Sequence, residues 1–272
     1  MDTNPPPVPP QIPPNTPTPS KVSFERYDQS QRAPSPLPHP QAPLGRPALG
    51  EDPADREPVT NVIGAIEAIL RHPRRLMYQL RQPGAGGLVA SMMFVAVLCG
   101  LIYGAVVGSF SGGEQWWAAP VKVSGGLLVS ILICLPSLYI FTCLSGSQAR
   151  LAEVFGLVSG LLMLMTILLI GFAPVAWLFS QSTESIAWMG VLHLLFWAVA
   201  TAFGLRFLEA GFSHSNARSN AGLNVWVLIF VLVVLQMTAA LRPLIGTSDD
   251  FLPKEKKFFL THWSDCMSKP TR

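Results

Sequence analysis

The sequence predicts an all-α transmembrane protein: a five-helix bundle preceded by a disordered proline-rich tail and an interfacial amphipathic helix. Three observations point there. Of 272 residues, 50% are hydrophobic and 13% charged, with a net charge of +3, whereas soluble domains carry about 25% charged residues. Long apolar runs follow one another from Gly86 to Leu241 with short polar breaks. Seventeen of the 25 prolines fall in the first 60 residues. Such a composition argues against a soluble enzyme and for an integral membrane protein.

Residues 1–57 read as the tail. The run Pro5-Pro6-Pro7-Val8-Pro9-Pro10 sets the pattern, and Pro34, Pro36, Pro38 and Pro40 continue it. Proline fixes φ and removes backbone donors, so neither helix nor sheet propagates. Few large apolar residues are available to offset the entropy of ordering. The tail is expected to have polyproline II character. It serves either as a solvated spacer or, through Pro6 to Pro9 and Pro7 to Pro10, as a ligand for a cytoplasmic protein with a proline-binding groove. The polar, proline-rich start does not read as a secretory signal.

Residues 58–82 form the juxtamembrane element. Val59, Val62, Ile63, Ile66, Ile69 and Leu70 recur at helical spacing, as on an amphipathic helix. Pro73 ends or kinks that helix, and a second short one carries Leu76, Met77 and Leu80. Arg71, Arg74, Arg75 and Arg81 flank these faces, where anionic headgroups would attract them. The same apolar face is also suited to pack on the chain's own spans.

The membrane domain, residues 83–245, contains expected spans at 86–109, 121–144, 153–180, 186–208 and 223–241. At 1.5 Å per residue each crosses a hydrocarbon core of about 30 Å. The run from Val225 to Leu235 does not alternate, which removes a membrane barrel. Between Gln82 and Leu205 the charged residues are Glu114, Lys122, Arg150, Glu153 and Glu184. All are assigned in or beside loops. Trp116, Trp117, Trp177, Trp188 and Trp226 mark the interfaces, and Trp197 lies deeper. Lysine and arginine counts put the amino terminus on the cytoplasmic side, and five spans put the carboxyl tail on the opposite side.

Lipid tails are as apolar as leucine, so close packing rather than hydrophobicity joins spans. Gly100, Gly104 and Gly108 lie on one face of the first span, and Gly156 and Gly160 repeat the spacing in the third. These glycines are expected at helix contacts, within one chain or in a homo-oligomer. Pro136 and Pro174 are expected to kink the second and third spans, with Ser130, Ser137 and Thr166 nearby to satisfy freed carbonyls. In residues 246–272, Phe258, Phe259, Leu260 and Trp263 with Lys254, Lys256 and Lys257 form an interfacial segment.

Recognisable chemistry is sparse. There is no phosphate loop, no paired metal-ligand spacing and no Cys-x-x-Cys, so no catalytic residue, cofactor, metal or nucleic-acid partner is assigned. His193 is read as the one ionisable group well inside a span and is therefore a functional candidate. Ser159 precedes Gly160, but Leu157 stands where an intramembrane serine protease has glycine.

The step Ile69-Leu70-Arg71-His72-Pro73-Arg74-Arg75 before the first span, Pro136-Ser137-Leu138-Tyr139 in the second and Pro174 in the third resemble bacterial members of the Yip1-like membrane proteins. The resemblance covers roughly residues 60–245. It implies a variable soluble amino-terminal region, a five-span bundle and no enzymatic activity. The Asp-Leu-Tyr-Gly-Pro motif of eukaryotic members is absent, so their small-GTPase and vesicle-traffic roles are not carried over. The leading expectation is a non-enzymatic scaffold or membrane-organising component whose partners are the bilayer and a cytoplasmic protein. A permease for an uncharged or lipidic solute is the alternative, expected to show a polar-lined cavity beside Pro136 and Pro174. An intramembrane serine hydrolase is the remote third.

Overall fold

The computed structural model describes residues 48–111, 115–147, 149–182, 186–213 and 221–240. The expected interfacial residues Lys254, Lys256, Lys257 and Trp263, and the tail up to residue 47, lie outside them. Among the described residues all regular structure is helical: α1 (Pro53–Arg56), α2 (Val62–Arg71), α3 (Pro73–Leu80), α4 (Gly86–Ser111), α5 (Gln115–Leu144), α6 (Leu151–Ser182), α7 (Ile186–Ser213) and α8 (Ala221–Ala240).

Four helices, α4 to α7, are long and apolar enough to cross a membrane, as in an integral multi-pass membrane protein. Helix α8 is shorter, apolar over Ala221–Met237, or about 25 Å. The outer surface fits lipid. Phe94, Leu98 and Ile102 on α4, Leu132, Ile133 and Ile140 on α5, and Leu228 and Leu232 on α8 are exposed. Apolar belts of this extent mark a surface for membrane or protein contact.

The long helices form a curved row in the order α7, α6, α4, α5, α8, each packed on its neighbours. Helix α6 is the most enclosed, with Val154, Leu161, Met163, Met165 and Leu169 fully buried. The turn after α5 follows from glycine. Gly146 adopts φ +74, and the Gly146 and Ser147 amides donate to the Cys143 and Thr142 carbonyls at 3.0 and 3.3 Å. This double return closes the open carbonyls of the helix end, and a left-handed residue there favours glycine.

Helices α1 to α3 form a collar on the end of the row where α4 and α6 begin. Asn61 caps α2, its Oδ1 accepting from Gly64 N at 2.8 Å. Pro73 opens α3, where its missing N–H is not needed. Ala65, Ala68 and Ile69 of α2 and Leu76, Met77 and Leu80 of α3 are buried in the main core. The apolar faces therefore pack on the chain's own helices. Ile63 and Leu70 are exposed on another side of α2.

The tail boundary at residue 57 moves. Residues 48–57, grouped with the proline-rich stretch by composition, are folded onto α3. The buried Asp55 carboxylate accepts from Gly50 N at 3.1 Å and from Arg74 Nε and Nη2 at 3.3 and 3.2 Å. Arg75 donates to the Glu57 and Pro58 carbonyls at 2.8 and 2.9 Å, and Gln79 exchanges bonds with Glu57 O and Val59 N. Arg74 and Arg75, expected to face headgroups, thus hold this strap. Asp55→Asn is expected to weaken it by about 1–3 kcal/mol, since buried groups lose a charge-assisted partner. Trypsin cleavage after Arg56 should rise while the bundle melts unchanged; cleavage at the wild-type rate would remove that role for Asp55.

Candidate functional site

The curved row leaves a concave side, and there a cavity of about 520 Å³ opens between α4, α5, α7 and α8. Its walls are mostly apolar: Val107, Leu127, Leu194, Ala198 and Val234 are among them. Three polar side chains converge at one end, Tyr103 from α4, Lys122 from α5 and His193 from α7. The Tyr103 hydroxyl and His193 Nδ1 share a hydrogen bond of 2.7 Å, with the rings edge to face. His193 is only 7% exposed, and its Nε2 has no hydrogen-bond partner among the described residues. Lys122 is 2% exposed.

The chain builds this convergence from helix register. Lys122 and His193 each sit seven residues into their helices, and Tyr103 eight residues before the end of α4. At 1.5 Å per residue all three lie about 10–12 Å below the same end of the row. That end carries exposed Trp116, Trp117, Trp177 and Trp188, the side chains that favour a membrane–water boundary. Ser130 and Thr201 line the wall farther in.

Lys122 and Tyr103 are the residues that sequence reasoning missed. The expected second span begins at Val121, so Lys122 falls at its very edge and is counted with the loop before it. In the structure α5 begins at Gln115, so Lys122 lies nearly two turns inside it. The signal was present in Trp116-Trp117: an aromatic pair at the boundary puts whatever follows it within the membrane helix. His193 is therefore not alone among ionisable groups in the spans. Trp226, expected at an interface, is instead fully buried, its Nε1 donating to Cys134 O at 2.9 Å.

The other expected site residues have definite positions. A Cβ on Gly104 would stand 2.5 Å from Pro120 Cα, and one on Gly100 would stand 2.8 Å from Ser124 Oγ. Gly108, one turn on, is also buried. The Gly100–Gly104 face is taken by α5 within the chain. Gly156 lies under Leu80 of the collar, and Gly160 under the Phe207 ring of α7. These two glycines receive side chains rather than a neighbouring backbone. Gly204 and Gly211 of α7 do the reciprocal work against Met165 and Leu157.

Pro136 and Pro174 are inside α5 and α6, and both are exposed away from the cavity. The nearby hydroxyls serve other carbonyls: Ser130 bonds Gly126 O, Ser137 bonds Cys134 O and Thr166 bonds Leu162 O and Met163 O. None of these is the carbonyl four residues before a proline. On the collar, Arg71 is exposed and 3.6 Å from Glu67, and Arg81 lines a shallow cleft with Arg150 and Glu153. Ser159 is buried, its Oγ donating to Phe155 O at 2.8 Å. It does not line the cavity that holds His193. Among the described residues no group of three or more potential ligands could hold a metal ion. Compared with family models, curated proteins and solved structures, the chain finds no significant match.

Proposed function

We propose that this chain is a five-span, non-enzymatic membrane-organising component of a bacterial inner membrane, similar in plan to the Yip1-like proteins, that offers its proline-rich tail to a cytoplasmic partner. In this reading α8 is the fifth crossing. The amino terminus and the collar are cytoplasmic, and the chain beyond α8 emerges on the opposite side. Spans shorter than the hydrocarbon core are accommodated by local thinning of the bilayer or by residues flanking the helix.

The observation that carries the proposal is the strap at residues 48–58. Asp55, Arg74 and Arg75 fasten the chain to α3 where the tail departs. The chain is thereby held from residue 48 onward, which suits recruitment through the residues that precede it. The contacts of the two residues a hydrolase would need are consistent with a non-enzymatic role, because the Ser159 hydroxyl and His193 Nδ1 have separate partners. A permeation route is less well supported: the lining reaches Ser130 on α5 and Leu205 on α7 and does not extend along the full length of those helices.

The test is deletion of residues 1–47, which leaves the strap intact. Partners recovered from native membranes should be lost, while insertion and thermal stability are retained. An unchanged set of partners would remove the recruitment role. In the same membranes, impermeant labelling of Cys266 from the cytoplasmic side would contradict the fifth crossing.

A further inference from the structure

We propose that the cavity is a binding site for a long-chain fatty acid, with the carboxylate held between Lys122 and His193 and the hydrocarbon chain lying along α7. This goes beyond the organising role and holds whether or not the tail recruits a partner.

The cavity supplies both halves of such a ligand. Its polar end is cationic, because Lys122 brings an ammonium into an otherwise apolar wall. Beside it, His193 lines the same cavity at a position more than nine-tenths buried, and its Nε2 has no hydrogen-bond partner among the described residues. When the Tyr103 hydroxyl donates to Nδ1, the neutral imidazole carries its proton on Nε2. Nε2–H is then a donor waiting for an acceptor. Leaving such a group buried and unmatched costs free energy, and a carboxylate oxygen satisfies it while its charge complements Lys122.

The rest of the cavity suits one hydrocarbon chain. From Gly190 to Leu205, α7 contributes Leu194, Trp197, Ala198 and Ala202 to the wall, a length of about 22 Å along the helix axis. The small side chains of Ala198 and Ala202 leave room for a ligand to lie against the helix. A volume of about 520 Å³ is that of a site for a drug-sized molecule. It accommodates one chain with a small head, not two chains with a phospholipid headgroup. Helices α7 and α8 are the two ends of the row and are not closely packed on each other among the described residues. A chain can therefore enter sideways from the bilayer, and its head then lies about 10 Å below the tryptophan-bearing end.

The test uses the full chain in lipid nanodiscs, with radiolabelled oleate and oleyl alcohol as probes. They share the hydrocarbon chain and differ in the charged head. Oleate is expected to bind about tenfold or more tightly than the alcohol. Lys122→Met and His193→Leu should each abolish most of that difference, and Lys122→Arg should retain it. Ala198→Trp should exclude both probes. Equal binding of oleate and oleyl alcohol by the wild-type protein would overturn the proposal, and that comparison needs no variant to fold. A phospholipid that co-purifies in the cavity and is not displaced by oleate would overturn it as well. So would Lys122→Met binding oleate at full strength.

Discussion

Gly104→Ala is expected to destabilise the bundle more than any other single methyl added to a glycine of the four long helices. The added Cβ would lie 2.5 Å from Pro120 Cα, 2.9 Å from Pro120 N and 3.0 Å from Ala119 O. All three are backbone atoms of α5, so no rotamer change relieves the overlap. At Gly160 the obstacle is the Phe207 ring, and at Gly156 it is Leu80, side chains that can move aside. Relief at Gly104 requires α4 and α5 to separate along their whole seam. Overpacking of this kind costs about 1–3 kcal/mol even where some adjustment is available. It opposes the gain of roughly 1 kcal/mol expected from alanine over glycine in a helix. The controls are Gly125→Ala and Gly171→Ala, whose added Cβ atoms meet nothing within 4 Å. In detergent the control variants should melt at or above the wild-type temperature and Gly104→Ala well below it. If all three melt together, the seam does not depend on glycine.

The contrast between these glycines also explains what could be read from the sequence. Helix existence and rough extent were legible because lipid removes alternatives: a long apolar run must satisfy its backbone internally. The expected limits 86–109 and 186–208 fall inside the observed Gly86–Ser111 and Ile186–Ser213. Limits failed where residues tolerated at an interface look polar. Gln115, Trp116 and Pro120 lie outside the expected second span, although a helix near its start can include them, and Lys122, the second residue of that span, is therefore counted with the loop and not with the site. Partners across space were not legible. Nothing in the local sequence of Gly156 tells that a leucine of a preceding amphipathic segment will cover it. Tyr103 and His193 are 90 positions apart, and their meeting depends on the order in which the helices line up. The arginines of the collar illustrate a third limit. Composition attracts them to anionic lipid, but Asp55, Glu57 and the Pro58 carbonyl lie nearer. Local pairing claims Arg74 and Arg75 first.

Replacing Trp226 should have the second large effect, and it bears directly on the fifth crossing. Helix α8 closes one end of the row, with α5 as its main neighbour. Its attachment is concentrated at Trp226, which is fully buried, stacks on Phe230 at 5.1 Å and donates from Nε1 to Cys134 O at 2.9 Å. That carbonyl also accepts from Ser137 Oγ at 2.8 Å, one residue beyond Pro136. Interhelical hydrogen bonds in membranes are worth about 1–2 kcal/mol at most. Truncating a buried tryptophan to alanine adds the loss of its dispersion contacts and leaves a void. Trp226→Phe removes the bond but keeps most of the ring, so it should cost little more than the bond itself. Trp226→Ala should release α8 from α5 and lower the melting point by several times as much. Unmasking of the Cys134 thiol, buried in the native state, reports the event in a protein whose other cysteines are replaced by serine. The ordering wild type, Phe, Ala is the expected result. If Trp226→Ala melts with the wild type, α8 and the cavity wall formed by its Val231, Val234 and Leu235 are held by something other than this anchor.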